Sequence, residues 1–229
     1  MFKRIISSGV LIMSCAAGAV DINCSFASGK WSKDDFVMVK GPRWDHSNSW
    51  RQESDHIVQE VPDDVSDKVL QSKLNPQCYV AMCLKDKINI TGGSVTCSST
   101  MSFDYRMAPL IVIAPELGFN KKFNMPEFRE HWEVVLYDRG INVWHHIWKD
   151  GKPSYVKVAC LMTTFLPKKK YELKTAIRRH RNGCQLEIEC DGHKFGCYMP
   201  MTAKSCYMGI IACEGRNRFY DLKVSGPEK

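Results

Sequence analysis

The sequence predicts an all-β fold in which two antiparallel sheets pack face to face as a sandwich. Short runs of alternating or β-branched residues recur along the chain, and Gly-containing turns separate many of them. No long stretch has a helical period, and no repeat of fixed length is present. More than a dozen strands exceed the roughly ten that one open sheet holds, so they must divide between two layers.

The predicted strands cover most of the chain after residue 35. Only residues 65–74 read as a short helix, and residues 126–131 could add a single helical turn. The strands are expected at 36–40, 56–61, 79–84, 94–97, 101–107, 110–114, 131–137, 142–148, 156–163, 171–178, 184–190, 194–198, 207–212 and 219–224.

Four glycine turns connect the strands in the middle of the chain. Residues 138–140 and 150–151 place Gly where a positive φ is needed, and the Asn-Gly and Asp-Gly pairs at 182–183 and 191–192 are typical of tight hairpins. Together these turns predict a meander from residue 131 to residue 198.

The first 27 residues predict an export segment. A basic start precedes residues 5–20, which are apolar or small and carry no charge. Small residues allow signal-peptidase cleavage after residue 19 or 27, and a lipobox-like stretch ending at Cys15 would allow cleavage after residue 14 with a lipid anchor on Cys15. We therefore expect an exported bacterial-type protein that is periplasmic, attached to the cell surface or secreted.

The remaining chain, residues 28–229, is expected to form one soluble domain. The full sequence is 44% hydrophobic and 25% charged, and no second apolar stretch approaches the roughly 20 residues that span a bilayer. Loss of Lys3 and Arg4 with the export segment lowers the formal net charge from +7 to about +5. This mild excess suits an acidic polysaccharide, although solubility explains it equally well. No nucleic-acid-binding motif is present, so a nucleic acid partner is not expected.

Eleven cysteines are present, without a metal-binding CxxC pair. Several stand where a strand needs a small apolar residue: Cys184 and Cys190 share a strand face with Leu186 and Ile188. We expect mostly buried free thiols rather than a disulfide framework.

Three segments near the C-terminus carry a family resemblance. Residues 171–174, 185–192 and 218–224 resemble the last strands of concanavalin A-like lectin/glucanase domains, which commonly end in a strand with a pattern like FYDLKV. The resemblance implies a jelly-roll sandwich that binds glycans on its concave sheet. It specifies fold more than function.

Residues 139–146 carry a second resemblance. This stretch is similar to an RINNYH segment of the YesU-like bacterial proteins, a concanavalin A-like family associated with pectin use. The sequence departs from that pattern at Val143, Trp144 and His145.

The hairpin at 131–148 holds the richest set of candidate site residues. Side-chain alternation places one polar and aromatic set on a common surface, namely Glu133, Tyr137, Asn142, Trp144, His146 and Trp148. Aromatic rings stack on sugar rings, and polar groups bind hydroxyls or carboxylates, so this mixture indicates glycan binding. Ordinary packing of the tryptophans and of His146 in the core is the alternative.

Catalysis is an open alternative. Retaining glycosidases of this fold use carboxylates spaced along one strand, and the sequence has no such E-x-D-x-E run. A polysaccharide lyase needs a Tyr or His base and a charge-neutralising group, for which Tyr137, His146 and Arg139 are candidates, with Asn142 and His145 nearby. If the protein is an enzyme, a lyase is the better expectation.

The N-terminal part adds Trp50 and Arg51, which could form a rim over the same surface or pack at a strand edge. Asp63, Asp64 and Asp67 could ligate a structural Ca²⁺, but a helix start explains them more simply. No other metal or cofactor is expected.

The function classes that remain are a glycan-binding protein, a polysaccharide lyase or glycoside hydrolase, and a non-catalytic adhesion or interaction module.

Overall fold

The computed structural model describes residues 20–44, 47–70 and 78–228. Within these ranges the only α-helix is α1 (Asp67–Leu70), and Lys33–Asp35 form one turn of 3-10 helix. No helix in these ranges is long and apolar enough to cross a membrane. The strands are β1 (Val20–Ser25), β2 (Phe36–Met38), β3 (Trp50–Gln52), β4 (Ile57–Gln59), β5 (Val80–Leu84), β6 (Ile88–Asn89), β7 (Ser94–Phe103), β8 (Met107–Ala114), β9 (Leu117–Asn120), β10 (Met125–Phe128), β11 (His131–Tyr137), β12 (Gly140–Lys149), β13 (Lys152–Met162), β14 (Tyr171–His180), β15 (Gly183–Cys190), β16 (His193–Met199), β17 (Ser205–Ala212), β18 (Asn217–Phe219) and β19 (Asp221–Glu228).

The strands form two large antiparallel sheets and one small hairpin. The nine-stranded sheet has the order β16-β15-β14-β7-β18-β4-β3, with β19 pairing to both β7 and β1. The eight-stranded sheet has the order β13-β12-β11-β8-β17-β5-β2, with β6 pairing to β17. Strands β9 and β10 form the separate hairpin. The predicted sandwich is confirmed.

Side-chain alternation builds the core between the sheets. In β11, Trp132, Val134 and Leu136 are fully buried in the main core, as the period of two predicts. Val135, one position out of phase, belongs to a second apolar cluster on the opposite face of the eight-stranded sheet. That opposite face is called the outer face below.

A covering segment, residues 39–44, lies over part of the outer face. Val39 is fully buried in the second apolar cluster, with Trp44 packed at its edge. Lys40 pairs its backbone with β10, and its ammonium lies 3.5 Å from the Glu127 carboxylate with both side chains almost completely buried. The Lys40 ammonium also donates to the carbonyls of Gly41 and Trp44. The covering segment is thus joined to the β9–β10 hairpin by a buried ion pair.

Several predicted boundaries are wrong. The meander expected over 131–198 is split, because β11–β13 belong to the eight-stranded sheet and β14–β16 to the nine-stranded sheet. The chain crosses between the layers over residues 163–170. Glycine turns define each hairpin locally, but they carry no information on which layer the next hairpin joins.

Other differences are local. Residues 126–131 contain strand pairing rather than a helical turn, and the strand expected at 101–107 is divided between the end of β7 and the start of β8. The predicted strand 219–224 is broken at Tyr220 into β18 and β19. Of the predicted helix 65–74, the structure describes α1, whereas residues 71–77 lie outside the described ranges.

The ten cysteines in the described ranges are all free, as predicted, and seven of them are buried. Burial raises the pKa of the Cys97 thiol to about 12. Burial also raises the pKa of Cys190 to about 12, with a further contribution from Asp191. Cys160, on β13, is the exposed exception among them.

We expect thiol labelling to follow this division. At pH 8, on the order of one in ten thousand thiols with a pKa of about 12 is ionised. A buried cysteine therefore reacts only after unfolding. Alkylation of a chain that begins at Val20, without reductant, should modify Cys160 first, and Cys160→Ser should remove this fast phase. Rapid modification of several buried cysteines, or mass evidence of closed disulfides, would contradict the prediction.

Candidate functional site

A cleft of about 220 Å³ opens on the outer face, where the covering segment ends. Strands β8, β11, β12 and β13 supply its floor and one side, Arg43 comes from the covering segment, and the residues after β17 complete it. Its lining residues are Arg43, Met107, Ala108, Leu110, Glu133, Val135, Tyr137, Asn142, Trp144, Tyr155, Cys213 and Glu214.

Two aromatic rings form one wall of the cleft. Trp144 and Tyr155 meet edge to face, with ring centroids 5.9 Å apart, and Tyr155 is 50% exposed. The Arg43 guanidinium lies 4.6 Å from the centre of the Tyr155 ring, and the Lys157 ammonium lies 5.9 Å from Trp144. The wall therefore combines apolar ring surface with two cationic groups.

Tyr137 and Asn142 supply neutral polar groups. The Tyr137 hydroxyl donates to the Met162 sulfur at 3.5 Å, and burial raises the pKa of this phenol above its usual value. The Asn142 Oδ1 atom is buried and has no hydrogen-bond donor among the described residues. An unpaired buried acceptor is costly, which makes this oxygen a candidate partner for a ligand hydroxyl.

Glu133 lies at the base of the cleft between two histidines. Its carboxylate is 3.3 Å from His131 Nε2 and 3.1 Å from His146 Nε2. Burial alone would raise the pKa of Glu133, but His146 and His131 hold it well below its usual range. Burial lowers the pKa of His131. Within the described ranges these residues form the one group of His, Cys, Asp or Glu side chains close enough to share a metal ion.

The β11–β12 pairing explains why these side chains meet. His131 lies opposite His146, Glu133 opposite Trp144, and Val135 opposite Asn142. The strand range predicted for β11 is confirmed, and so is the alternation that places Glu133, Tyr137, Asn142, Trp144 and His146 on one face.

Other candidates from the same hairpin lie away from the cleft. His145 faces inward, where it stacks on Trp132 at 4.3 Å and lies 2.9 Å from the Glu130 carboxylate. Trp148 donates its indole N–H to the Phe128 carbonyl at 3.3 Å and is covered by the Arg129 guanidinium. Arg139 is exposed in the turn between β11 and β12 and does not line the cleft.

The N-terminal candidates belong to the other sheet. Trp50 is buried and packs edge to face on Phe219, so it is a core residue. Arg51 lines a different cleft of about 550 Å³, where it forms ion pairs with Glu53 and Asp63. The walls of that cleft are mainly polar side chains already joined in ion pairs, so it is the weaker candidate despite its size.

Two of the three acidic residues considered for Ca²⁺ are engaged by arginines. Asp63 lies 3.2 Å from Arg51 and 3.1 Å from Arg216, and Asp67 lies 4.0 Å from Arg216. Guanidinium groups occupy the space that a cation would need, so the structure gives no support to a calcium site there.

Arg43 and Tyr155 were not predicted. The strand expected to begin at 156 starts at Lys152, and pairing through the Asp150-Gly151 turn sets Tyr155 opposite His146. Extending the strand back to that turn would have revealed Tyr155. Arg43 reaches the cleft from a segment that is distant in sequence, and no local pattern signals this contact.

The two packed antiparallel sheets give this chain the same fold as several solved sugar-binding domains. Among solved structures it is similar to the Emp46p carbohydrate recognition domain in its metal-free form, with a TM-score of 0.56, 11% identity, and coverage of 84% of this chain and 88% of that chain. Carbohydrate binding module CBM66 from Bacillus subtilis gives a TM-score of 0.53 at 10% identity, over 84% of this chain and 96% of that one. A legume lectin-like domain from Entamoeba histolytica gives a TM-score of 0.52 at 13% identity, with coverage of 83% of this chain and 89% of that chain.

No known protein family matches the sequence, and no curated protein is similar to it. The resemblance of residues 139–146 to YesU-like proteins therefore has no support from these comparisons. At identities this low, the likeness to solved structures establishes the fold alone.

Proposed function

We propose that the outer-face cleft binds an oligosaccharide or polysaccharide. The observation that carries the proposal is the aromatic wall of Trp144 and Tyr155, which stands next to the unpaired Asn142 oxygen. A pyranose ring has an apolar face that stacks on aromatic rings and hydroxyls that need polar partners. The cleft offers both kinds of surface side by side.

The structures that share the fold support the same proposal. They include a carbohydrate recognition domain, a carbohydrate-binding module and a winged bean lectin with Tn-antigen. Fold likeness does not transfer function by itself, so the proposal depends on the residues of the cleft.

The charges around the aromatic wall favour an acidic glycan. Arg43 and Lys157 lie over the two rings, whereas the carboxylates that line the cleft, Glu133 and Glu214, come from other parts of its wall. A uronate carboxylate would bind a guanidinium through charge-assisted hydrogen bonds. We therefore propose a uronate-containing ligand in preference to a neutral one.

Catalysis receives less support than binding. A tyrosine base needs a lowered pKa, whereas the pKa of Tyr137 is raised, and the buried His146 faces Glu133. The carboxylic acid that acts as general acid in a glycosidase needs a raised pKa, whereas the pKa of Glu133 is lowered. Binding without bond cleavage is the proposed activity.

A glycan microarray followed by titration calorimetry tests this proposal. The best-bound uronate oligosaccharide and its neutral counterpart should be compared at low and high salt, since ion pairs weaken with salt. We expect tighter binding of the uronate, and no release of unsaturated products or new reducing ends. Failure to bind any glycan would favour an adhesion or interaction module, and product release would show an enzyme.

We further propose that the protein is exported and cleaved before β1. Strand β1 pairs with β19 along its full length, and Phe26, just after it, is fully buried in the core. Cleavage after residue 27 would remove both, whereas cleavage after residue 19 retains them. Loss of a buried Phe side chain alone costs about 3–5 kcal/mol. N-terminal sequencing of the mature protein should find Val20, or a blocked, lipid-modified Cys15 if the protein is tethered, and a start at residue 28 would overturn this proposal.

A further inference from the structure

The histidine–glutamate cluster at the base of the cleft has the arrangement of a metal site. Its three members are His131 and Glu133 on β11 and His146 on β12. His131 and Glu133 lie two residues apart on one strand face, and His146 lies directly opposite His131. One ligand atom from each residue lies within 4.8 Å of the other two. Two adjacent strands therefore present three donors to one point.

The two histidine–glutamate distances in the cluster are close to those between neighbouring ligands in tetrahedral coordination. Zn²⁺ binds histidine nitrogen and carboxylate oxygen at about 2.0–2.2 Å, which separates neighbouring ligands of a tetrahedron by about 3.3–3.5 Å. His131 Nε2 lies 3.3 Å from Glu133 Oε1, and His146 Nε2 lies 3.1 Å from the other carboxylate oxygen, Oε2. All three donors lie within 4.8 Å of one another. The imidazole rings of His131 and His146 are stacked, with centroids 4.5 Å apart and planes 15° from parallel, so the rings must rotate before both Nε2 atoms can point at one ion.

The hydrogen bonding of the cluster is incomplete without an additional partner. His146 Nε2 is buried and has no aligned hydrogen bond among the described residues, although the Glu133 carboxylate is near. His131 Nδ1 is likewise buried without a partner among the described residues. Buried polar atoms are normally satisfied, and a bound cation would satisfy His146 Nε2 and the carboxylate together.

The chemistry of the donors selects the kind of metal. Two imidazoles and one carboxylate suit Zn²⁺ and neighbouring transition metals, whereas Ca²⁺ and Mg²⁺ prefer oxygen ligands alone.

The cluster has a buried side and a side near the cleft. The side chains of His131 and His146 are 2% and 4% exposed, whereas that of Glu133 is 13% exposed and lines the cleft. His131 packs against Phe128, and His146 stacks with Tyr155. Three protein ligands beside an open cleft resemble a zinc site that keeps one position for water or a ligand, rather than a closed structural site.

We propose that His131, Glu133 and His146 bind one Zn²⁺ or similar divalent transition-metal ion at the base of the cleft. This metal site does not depend on glycan binding and can be tested without a sugar.

Metal titration of the chelator-treated protein tests the site. We expect one Zn²⁺ per chain in competition with a chromophoric chelator, and one Co²⁺ with the absorption spectrum of a low-coordinate nitrogen and oxygen site. His146→Gln and Glu133→Gln should each weaken Zn²⁺ binding about 100-fold or more, since loss of even an outer-shell partner costs 10–100-fold. Ca²⁺ should not compete.

His145→Gln is the matched control. This residue neighbours His146 on the same strand but faces inward against Trp132, so its substitution should leave metal affinity within about twofold. Circular dichroism must show that each variant is folded. Similar losses of Zn²⁺ affinity in His146→Gln and Glu133→Gln would show that the effect does not come from misfolding of a single variant. Absence of Zn²⁺ binding by the wild type, or unchanged binding in folded His146→Gln and Glu133→Gln, would overturn the proposal.

Discussion

Trp144→Ala should weaken glycan binding about 5- to 150-fold. This loss corresponds to about 1–3 kcal/mol, by analogy with the stacking of nucleic acid bases on aromatic side chains. Trp144 is half-buried and forms the cleft wall with Tyr155, so truncation removes the stacking surface and leaves the strand pairing intact. Titration calorimetry with the best ligand from the microarray measures the change.

Trp148→Ala is the matched control for this prediction. Trp148 is on the same strand and also half-buried, but it lies outside the cleft with its indole N–H bonded to the Phe128 carbonyl. Its substitution should leave affinity within about twofold when the variant is folded. Equal losses in the two variants, or unfolding of Trp144→Ala, would assign Trp144 to packing rather than to binding.

Glu127→Gln should lower the free energy of unfolding by about 3–5 kcal/mol, the cost of breaking a buried ion pair from one side. Lys40 would keep its carbonyl acceptors but lose its charged partner 3.5 Å away. The melting temperature should fall by about 6–20 °C for a chain of this size. Because Lys40 anchors the segment that carries Arg43, affinity for an acidic glycan should fall as well.

Glu116→Gln provides the comparison for the ion pair. Glu116 pairs with Lys87, but its side chain is 74% exposed. This substitution should cost less than about 1 kcal/mol. The double variant Lys40→Met with Glu127→Leu should recover part of the lost stability, because it removes the unpaired Lys40 charge. Full recovery is not expected, since Glu127 also pairs with Arg129 and accepts a hydrogen bond from Asn120. Similar melting temperatures for Glu127→Gln and Glu116→Gln would contradict the role given to the buried pair.

The sequence predicted best those parts of the site that depend on neighbouring residues within one strand or one turn. The faces of β11 and β12 follow from the period of two, and their pairing follows from the short turn at Gly140, whose φ is 138°. Strand alternation alone is therefore enough to group Glu133, Tyr137, Asn142 and Trp144 on one surface. The fold class followed in the same way from many short strands and glycine turns.

Contacts between distant segments could not be predicted in this way. Arg43 enters the cleft because the buried Lys40–Glu127 pair holds the covering segment on the β9–β10 hairpin, and neither residue differs in pattern from a surface charge. Trp50 and Arg51 belong to the nine-stranded sheet because β3 pairs with β4, an assignment that depends on topology. The residue types around Trp50 are compatible both with a loop at the rim of the cleft and with a strand packed at the edge of the core. Only the strand order shows that the second is correct.

Mapping a bound oligosaccharide by NMR tests the central proposal most directly. Binding at the cleft should shift the Trp144 indole N–H signal and the Asn142 side-chain amide most strongly, with little change at the Trp148 indole. The competing surface is a cleft of about 470 Å³ on the nine-stranded sheet, lined in part by Arg178, Gln185 and Lys194. We expect shifts confined to the Trp144 side of the sandwich, and shifts centred on Gln185 would contradict the proposal.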